Sequence, residues 1–279
     1  MAARDNYILS RDLDASLRLD CQHLLARMYT GYTLHPQIPV VPSMKIAEIG
    51  TGTGIWLLDL ASQLPSTVVL DGFDISDGQF PHESNLPSNV KLSIMDSFDQ
   101  VPPELVGKYD VVHLRFWVCI VRGNNAEKLI NHAKALLRAA EPGGWIQWEE
   151  ANLGRILTNG DEAKKFLQAA KLVLKSLKFD FGWIEALPNT LEGHGLEVVD
   201  FKTGRIPPSL VPLIIKTGLA GWVEILDAAY KTQCQSLPPE KETKDILLRV
   251  VEALKDGAAY YWTPLSLLAR KTAGTALEA

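Results

Sequence analysis

The chain has 279 residues and a net charge of −5, with 28 Lys and Arg set against 33 Asp and Glu. It carries no Lys/Arg cluster of the kind that neutralises phosphates, which argues against a primary role on nucleic acid or at a membrane surface. Cys21, Cys119 and Cys234 are odd in number, far apart and outside any C-x-x-C pair, so they predict free thiols in a reducing compartment, not a disulfide framework or zinc site. The N-terminal MAARDNYILSRDLD is polar and acidic, unlike a secretory or transit leader. No apolar run is read as approaching membrane-spanning length. The expectation is a soluble, cytoplasmic monomer or homodimer.

In chain order, helix-period apolar positions (Leu13, Leu17, Cys21, Leu24, Leu25, Met28) predict a helix over about 13–29. A turn-rich stretch, 31–42, leads into a short apolar run, Ile46, Ala47 and Ile49. That run ends in Gly50-Thr51-Gly52-Thr53-Gly54, and a helix-period run follows at Ile55. This is strand, glycine loop, helix, the ligand-binding corner of a doubly wound α/β domain. Further strands are predicted over 67–73, 90–95, 109–114 and 145–148, ending at Asp74, Asp96, Arg115 and Glu149-Glu150. A helix over about 125–140 is stopped by Glu141-Pro142-Gly143-Gly144. Beyond Asn152 the pattern predicts a helix over 161–177, a strand over 196–203 and two helices over 212–231 and 240–255. A last strand covers 260–269, where Pro264 implies an edge position or a bend.

Strands alternating with helices imply a mostly parallel sheet with crossover helices. The expected division is an N-terminal helical lid over 1–42, a ligand-binding core over 43–152, and the last strands with helical cap insertions over 153–279. The long helical stretch at about 207–257, the 152–183 region and the first helix are expected to roof the carboxyl edge of the sheet.

The loop departs from the dinucleotide fingerprint, because Leu57 stands where G-x-G-x-x-G/A needs its last small residue, and the phosphate-loop lysine is missing. What remains is Glu48-x-Gly50-x-Gly52-x-Gly54. An acid there repels a pyrophosphate and suits an ammonium group. Ligands in such folds bind outside the carboxyl ends of the strands. Asp74, twenty residues past Gly54, is placed to accept both ribose hydroxyls of an adenosine, or serves as an ordinary helix or turn cap. Asp96 can accept from an adenine amino group, with Phe98 covering the ring; Asp-Ser is also common turn chemistry.

The loop pattern resembles motif I of class I S-adenosylmethionine (SAM)-dependent methyltransferases. A narrower resemblance runs through EIGTGTGIWLLDLA, LDGFDISDGQFP, LPSNVKLSIMDSFDQVPPELVGKYDVVHLRF and LLRAAEPGGWIQWEE, and through RLDCQHLLARMYTGYTLHPQIP ahead of them. These blocks are similar to fungal class I methyltransferases of secondary metabolism, the UMTA type, over about the first half of the chain. The resemblance implies a seven-stranded, Rossmann-like fold and SAM as cofactor. Glu48, Gly50, Gly52 and Gly54 would line its methionine end, and Asp74 would hold the ribose with Gln79 and Phe80 nearby. Asp96 and Ser97 would flank the adenine, and Gln22 would close over the cofactor.

The reaction implied is in-line methyl transfer to a small hydrophobic metabolite, at oxygen first and at nitrogen or carbon second. Arg115, His113 and Glu149 are the candidate catalytic residues, His113 reading also as a packed core histidine. Trp117, Trp183, Trp222 and Tyr260 are the candidate substrate residues, since pockets for flat apolar molecules use such side chains. No metal-ligand set stands out. Two other functions fit the same motif I: a SAM-binding cyclase that keeps the methyl, and a non-catalytic regulator of secondary metabolism.

Overall fold

The computed structural model describes residues 7–139, 143–232 and 237–272. Cys234 and the expected helix stop at Glu141-Pro142 lie outside them. The strands are β1 (Lys45–Ile49), β2 (Val69–Asp74), β3 (Val90–Ile94), β4 (Val111–Arg115), β5 (Trp145–Asn159), β6 (Leu196–Thr203) and β7 (Ala259–Lys271). The helices are α1 (Leu13–Thr30), α2 (Ile55–Ala61), α3 (Glu127–Leu136), α4 (Asp161–Ser176), α5 (Gly182–Gly193), α6 (Val211–Lys231) and α7 (Glu240–Ala253). The seven strands form one sheet in the order β3-β2-β1-β4-β5-β7-β6. The first five run parallel, and β7 is antiparallel to both β5 and β6. This is the doubly wound, mostly parallel architecture expected.

The central strands are continuous apolar runs because both faces are covered: all of β1 after Lys45 is buried. The chain order reverses at β1, which pairs β2 on one side and β4 on the other. That switch point opens the crevice in which ligands of such folds bind.

Three expectations need correction. The first concerns Pro264, which lies in an interior strand, opposite Ala151 of β5. It is tolerated there because β6 pairs only with Leu265–Lys271, leaving one side of β7 without a ladder from Ala259 to Pro264. Second, β5 does not end at Trp148. It runs on to Asn159 and pairs with β7 on both sides of a register shift between Asn152 and Ile156. Third, Pro208–Lys231 is long and apolar enough by length and composition to cross a membrane, with mean hydropathy 1.5. Its apolar residues have a local explanation, since Ile214, Ile215, Leu219, Trp222, Ile225 and Leu226 are buried in the main core.

Helix α1 forms where predicted, capped by Asp12 accepting from the Ala15 N–H at 2.9 Å. Its buried face is not the apolar one. Leu13, Leu17, Leu24 and Met28 are exposed, while Arg18 and His23 are buried beside Ala15 and Leu25. The reason lies in what those polar side chains meet across the cleft.

Candidate active site

A cavity of about 690 Å³ opens at the carboxyl ends of β1–β4. The glycine loop forms its floor. Gly50 and Gly52 have φ of +71° and +53°, a region that disfavours side chains. A Cβ on Gly50 would stand 2.8 Å from the Trp117 ring, and one on Gly52 would stand 3.0 Å from Leu19 of α1. Gly54 caps α2 and does not line this cavity; a Cβ there would press on Leu92.

Around this floor the structure gathers Glu48, Asp74, Gln79, Asp96, Ser97, Arg115 and Trp117. Asp74 Oδ2 accepts from the Gly52 N–H at 2.9 Å, and Oδ1 from Ser76. Burial holds its carboxyl above the usual range in spite of those bonds. Asp96 is fixed by the Phe98 N–H at 2.8 Å. Gln79 donates to Ser16 of α1 at 3.1 Å, tying the β2 loop to that helix. Trp117 sits edge-on to Phe98, and its indole N–H is buried with no hydrogen-bond partner. Phe80, expected near the ribose, does not line the cavity.

Beneath the cleft lies a buried charge network. Glu48 Oε1 is 3.0 Å from His113 Nδ1, and Glu149 Oε2 is 2.6 Å from His113 Nε2. Two carboxylates facing both ring nitrogens call for a doubly protonated imidazole. Burial would push His113 down, but Glu149 and Glu48 together hold it above its ordinary value. Burial would likewise raise Glu149, yet His113 first and then Arg115 hold it below the usual carboxylate range. The imidazole stacks on Trp56 with ring centres 3.8 Å apart and planes within 7°. Thr51 donates to the second oxygen of Glu48 at 2.6 Å, and Gln147 donates to Glu149 at 2.8 Å.

Arg115 extends this network to α1. Its guanidinium lies 3.1 Å from His23 Nδ1, and His23 Nε2 lies 3.0 Å from Asp59. Burial, then the charge of Arg115, lowers His23. The ring is therefore neutral, accepting from Arg115 at Nδ1 and donating to Asp59 from Nε2. Arg18 pairs with Glu224 of α6 at 2.5 Å. These contacts explain why α1 turns its polar side inward.

Of the catalytic candidates, only Arg115 lines the cleft. His113 and Glu149 line neither of the two cavities, and both ring nitrogens of His113 are taken. They form a scaffold under Glu48, which departs from the expectation that they are catalytic and fits the packed-core reading of His113. The neighbouring Glu150 points the other way. Its carboxylate accepts from the N–H groups of Trp117, Val118 and Ala151 and from the Trp148 indole. Burial pushes it up to about 7 all the same.

A second, smaller cavity of about 80 Å³ adjoins the first and shares Tyr7, Leu19 and Phe116 with it. Its other walls come from α6 (Thr217, Gly218, Gly221, Trp222), from β7 (Tyr260) and from α1 (Gln22). Trp222 and Tyr260 thus line this smaller cavity and not the larger cleft. Gln22 faces this cavity, not the larger cleft, and accepts from Arg18 at 3.0 Å. Trp117 lines the larger cleft beside Gly50. Trp183 lines neither cavity and packs against Trp148 with ring centres 5.9 Å apart. Helices α4 and α7 add no residue to either lining.

Sequence reasoning missed Tyr7 and Phe116, which stand on the partition. Phe116 has φ of +57°, a strained backbone of the kind that gathers at functional sites. No local signal marks such a residue. Tyr7 hydrogen-bonds Arg18, and burial pushes its phenol up to about 12.

The chain belongs to a methyltransferase-domain family, whose model matches residues 20–200. It is 36% identical over 152 residues to the methyltransferase grgD of a Penicillium species, covering 52% of each chain. It is 36% identical over 147 residues to the N-methyltransferase tcpN of Claviceps purpurea, covering 52% of this chain and 51% of that one. The chain thus aligns with about half the length of these relatives. The fungal resemblance read from the motif blocks is borne out by them. Among solved structures, an N-methyltransferase of Haemonchus contortus in complex with S-adenosylhomocysteine shares the fold. That match has a TM-score of 0.52 and 13% identity over 90% of this chain and 52% of the other.

Proposed function

We propose that the protein binds SAM in the larger cleft and transfers its methyl group to a small, largely apolar acceptor of secondary metabolism. The observation that carries this is the charge pattern at the strand ends. Glu48 and Arg115 offer one anion and one cation to the zwitterionic methionine end. Asp74 offers an acceptor to the ribose, and Asp96 with Ser97 offers polar groups to the adenine. The cleft fits such a ligand on two further counts. Gly50 and Gly52 leave a cradle that side chains would fill, and the buried Trp117 N–H lacks a partner.

Bound there, SAM supplies an electrophilic methyl group. The chain's own task is to hold, align and shield, which can supply about 7–11 kcal/mol of a barrier in favourable cases. Arg115 is fixed by His23, and Glu48 by Thr51 and His113, so both are positioned before ligand arrives. The sequence favoured an oxygen acceptor. We favour nitrogen, because no histidine lines either cavity among the described residues and the larger cleft's Glu48, Asp74 and Asp96 are assigned to the cofactor. The Cys119 thiol in the second cavity is pushed by burial up to about 12. A neutral amine nitrogen carries a free lone pair and attacks without help, losing its proton to solvent afterwards, whereas an alcohol calls for a base. The relatives named as N-methyltransferases, such as tcpN, support the same choice.

The test is a crystal structure with S-adenosylhomocysteine. The expected result is ribose on Asp74, adenine between Asp96 and Phe98, and the homocysteine end between Glu48 and Arg115. A ligand lodged elsewhere, or turned end for end, would sink the reading.

A further inference from the structure

The second cavity holds a feature that core packing does not explain. Tyr260 is 2% exposed, and its hydroxyl has no hydrogen-bond partner. The Trp222 indole N–H lies close enough to ease the ionisation of the phenol, but it makes no hydrogen bond of full geometry to the hydroxyl. A buried hydroxyl left unpaired is unfavourable, and Tyr260 is one of the residues lining an empty space that shares Tyr7, Leu19 and Phe116 with the larger cleft. The rest of the aromatic cluster is well packed, with Phe166 edge-on to both Tyr260 and Trp222. The hydroxyl alone is unprovided for.

The space itself owes its existence to two glycines. Gly218 and Gly221 face it from α6, and neither has a backbone that needs glycine. A Cβ on Gly218 would meet Trp262 at 3.7 Å, and one on Gly221 would meet Arg18 at 3.8 Å, both ordinary contacts. In a helix interior glycine is the less stable choice against alanine. Neither backbone angle nor close approach therefore calls for glycine at these positions; an open cavity does.

We propose that this cavity is the acceptor's recognition pocket and takes one flat apolar ring carrying a hydrogen-bonding atom, which Tyr260 anchors. The inference rests on the methyltransferase reading. The ring lies between α6 and β7, and the part to be methylated projects past Phe116 and Tyr7 into the cleft. Tyr260 is thus a specificity residue, and Gly218 and Gly221 set the size of the ring.

Phenol and toluene test this as a matched pair, identical in shape and differing in the polar atom. Binding of each to the full-length protein is measured by NMR titration in the presence of S-adenosylhomocysteine, with crystal soaks to locate them. Both are expected in the second cavity. Tyr260→Phe should weaken phenol by about three- to tenfold, the worth of one hydrogen bond, and leave toluene unchanged. Gly218→Ala should weaken both probes while keeping or raising the melting temperature. Equal phenol affinity in Tyr260→Phe, probes seated only in the larger cleft, or toluene binding unaffected by Gly218→Ala would each overturn the proposal. Absence of S-adenosylhomocysteine binding would overturn the methyltransferase reading on which it stands, whatever the probes do.

Discussion

The larger cleft is walled by short turns at the ends of parallel strands and by charged side chains fixed in advance. The smaller cavity is walled by a long helix and the far ends of two antiparallel strands, and it is almost wholly apolar. The first kind of site is specified residue by residue: each carboxylate has a named donor, and each glycine has a neighbour that leaves no room. The second is specified by shape, through what α6 leaves out. A common cofactor calls for the first kind, and an acceptor that differs between family members calls for the second.

The comparison can be broken first at the glycine loop. Gly52→Val puts a β-branched side chain at φ +53° and against Leu19. Titration calorimetry should then detect no SAM binding, while a change of similar size at Gly218 should leave cofactor affinity alone. Normal SAM binding by the valine variant would remove the cradle from the account.

Next in size is the buried network. His113→Gln leaves Glu48 and Glu149 without their shared cation, and breaking such a pair costs about 3–5 kcal/mol, read from urea unfolding. The pH dependence has a definite sign. His113 is raised in the fold, so its contribution is complete below its unfolded value of about 6.5 and is lost as pH rises through the folded value. Glu149 is depressed, so its contribution is present above its unfolded value and is lost as pH falls through the folded one. Wild-type stability should decline on both flanks, and the variant should lose the alkaline decline. A variant that keeps this decline would assign it to another group.

A smaller effect is expected at the ribose. Asp74→Ala should weaken SAM binding by about 1–3 kcal/mol, and calorimetry showing unchanged affinity would mean that the ribose lies elsewhere. Smallest of all is α1. Leu17 is 53% exposed, so Leu17→Gln should shift stability by no more than about 0.5 kcal/mol. A larger loss by thermal melting would mean that the apolar stripe is covered.

That last case shows where the sequence was legible and where it was not. An α/β sheet binds ligands at its carboxyl edge, so Asp74 and Asp96 were candidates from strand order, whereas Glu48 came from the glycine-loop pattern and Arg115 from the family resemblance. Periodicity found α1 but named the wrong face. It ranks residues by hydropathy, and here Arg18 and His23 go inward because Glu224, Asp59 and Arg115 receive them. His113 was read both as a catalytic candidate and as a packed core histidine, and the second reading fits its two carboxylate partners; a sequence does not show that Glu149 is one of them. The continuation of β5 past Glu150 was hidden because its partner, β7, lies about a hundred residues further on. Trp183 was grouped with the pocket aromatics on composition alone, and packing against Trp148 explains it instead.

The central claim is that the polar cleft is a cofactor site, and titration calorimetry of the intact protein with SAM and S-adenosylhomocysteine tests it most directly. The account predicts one site per chain with micromolar affinity for both ligands. No heat from either would contradict it and leave the cleft's charge pattern without a ligand.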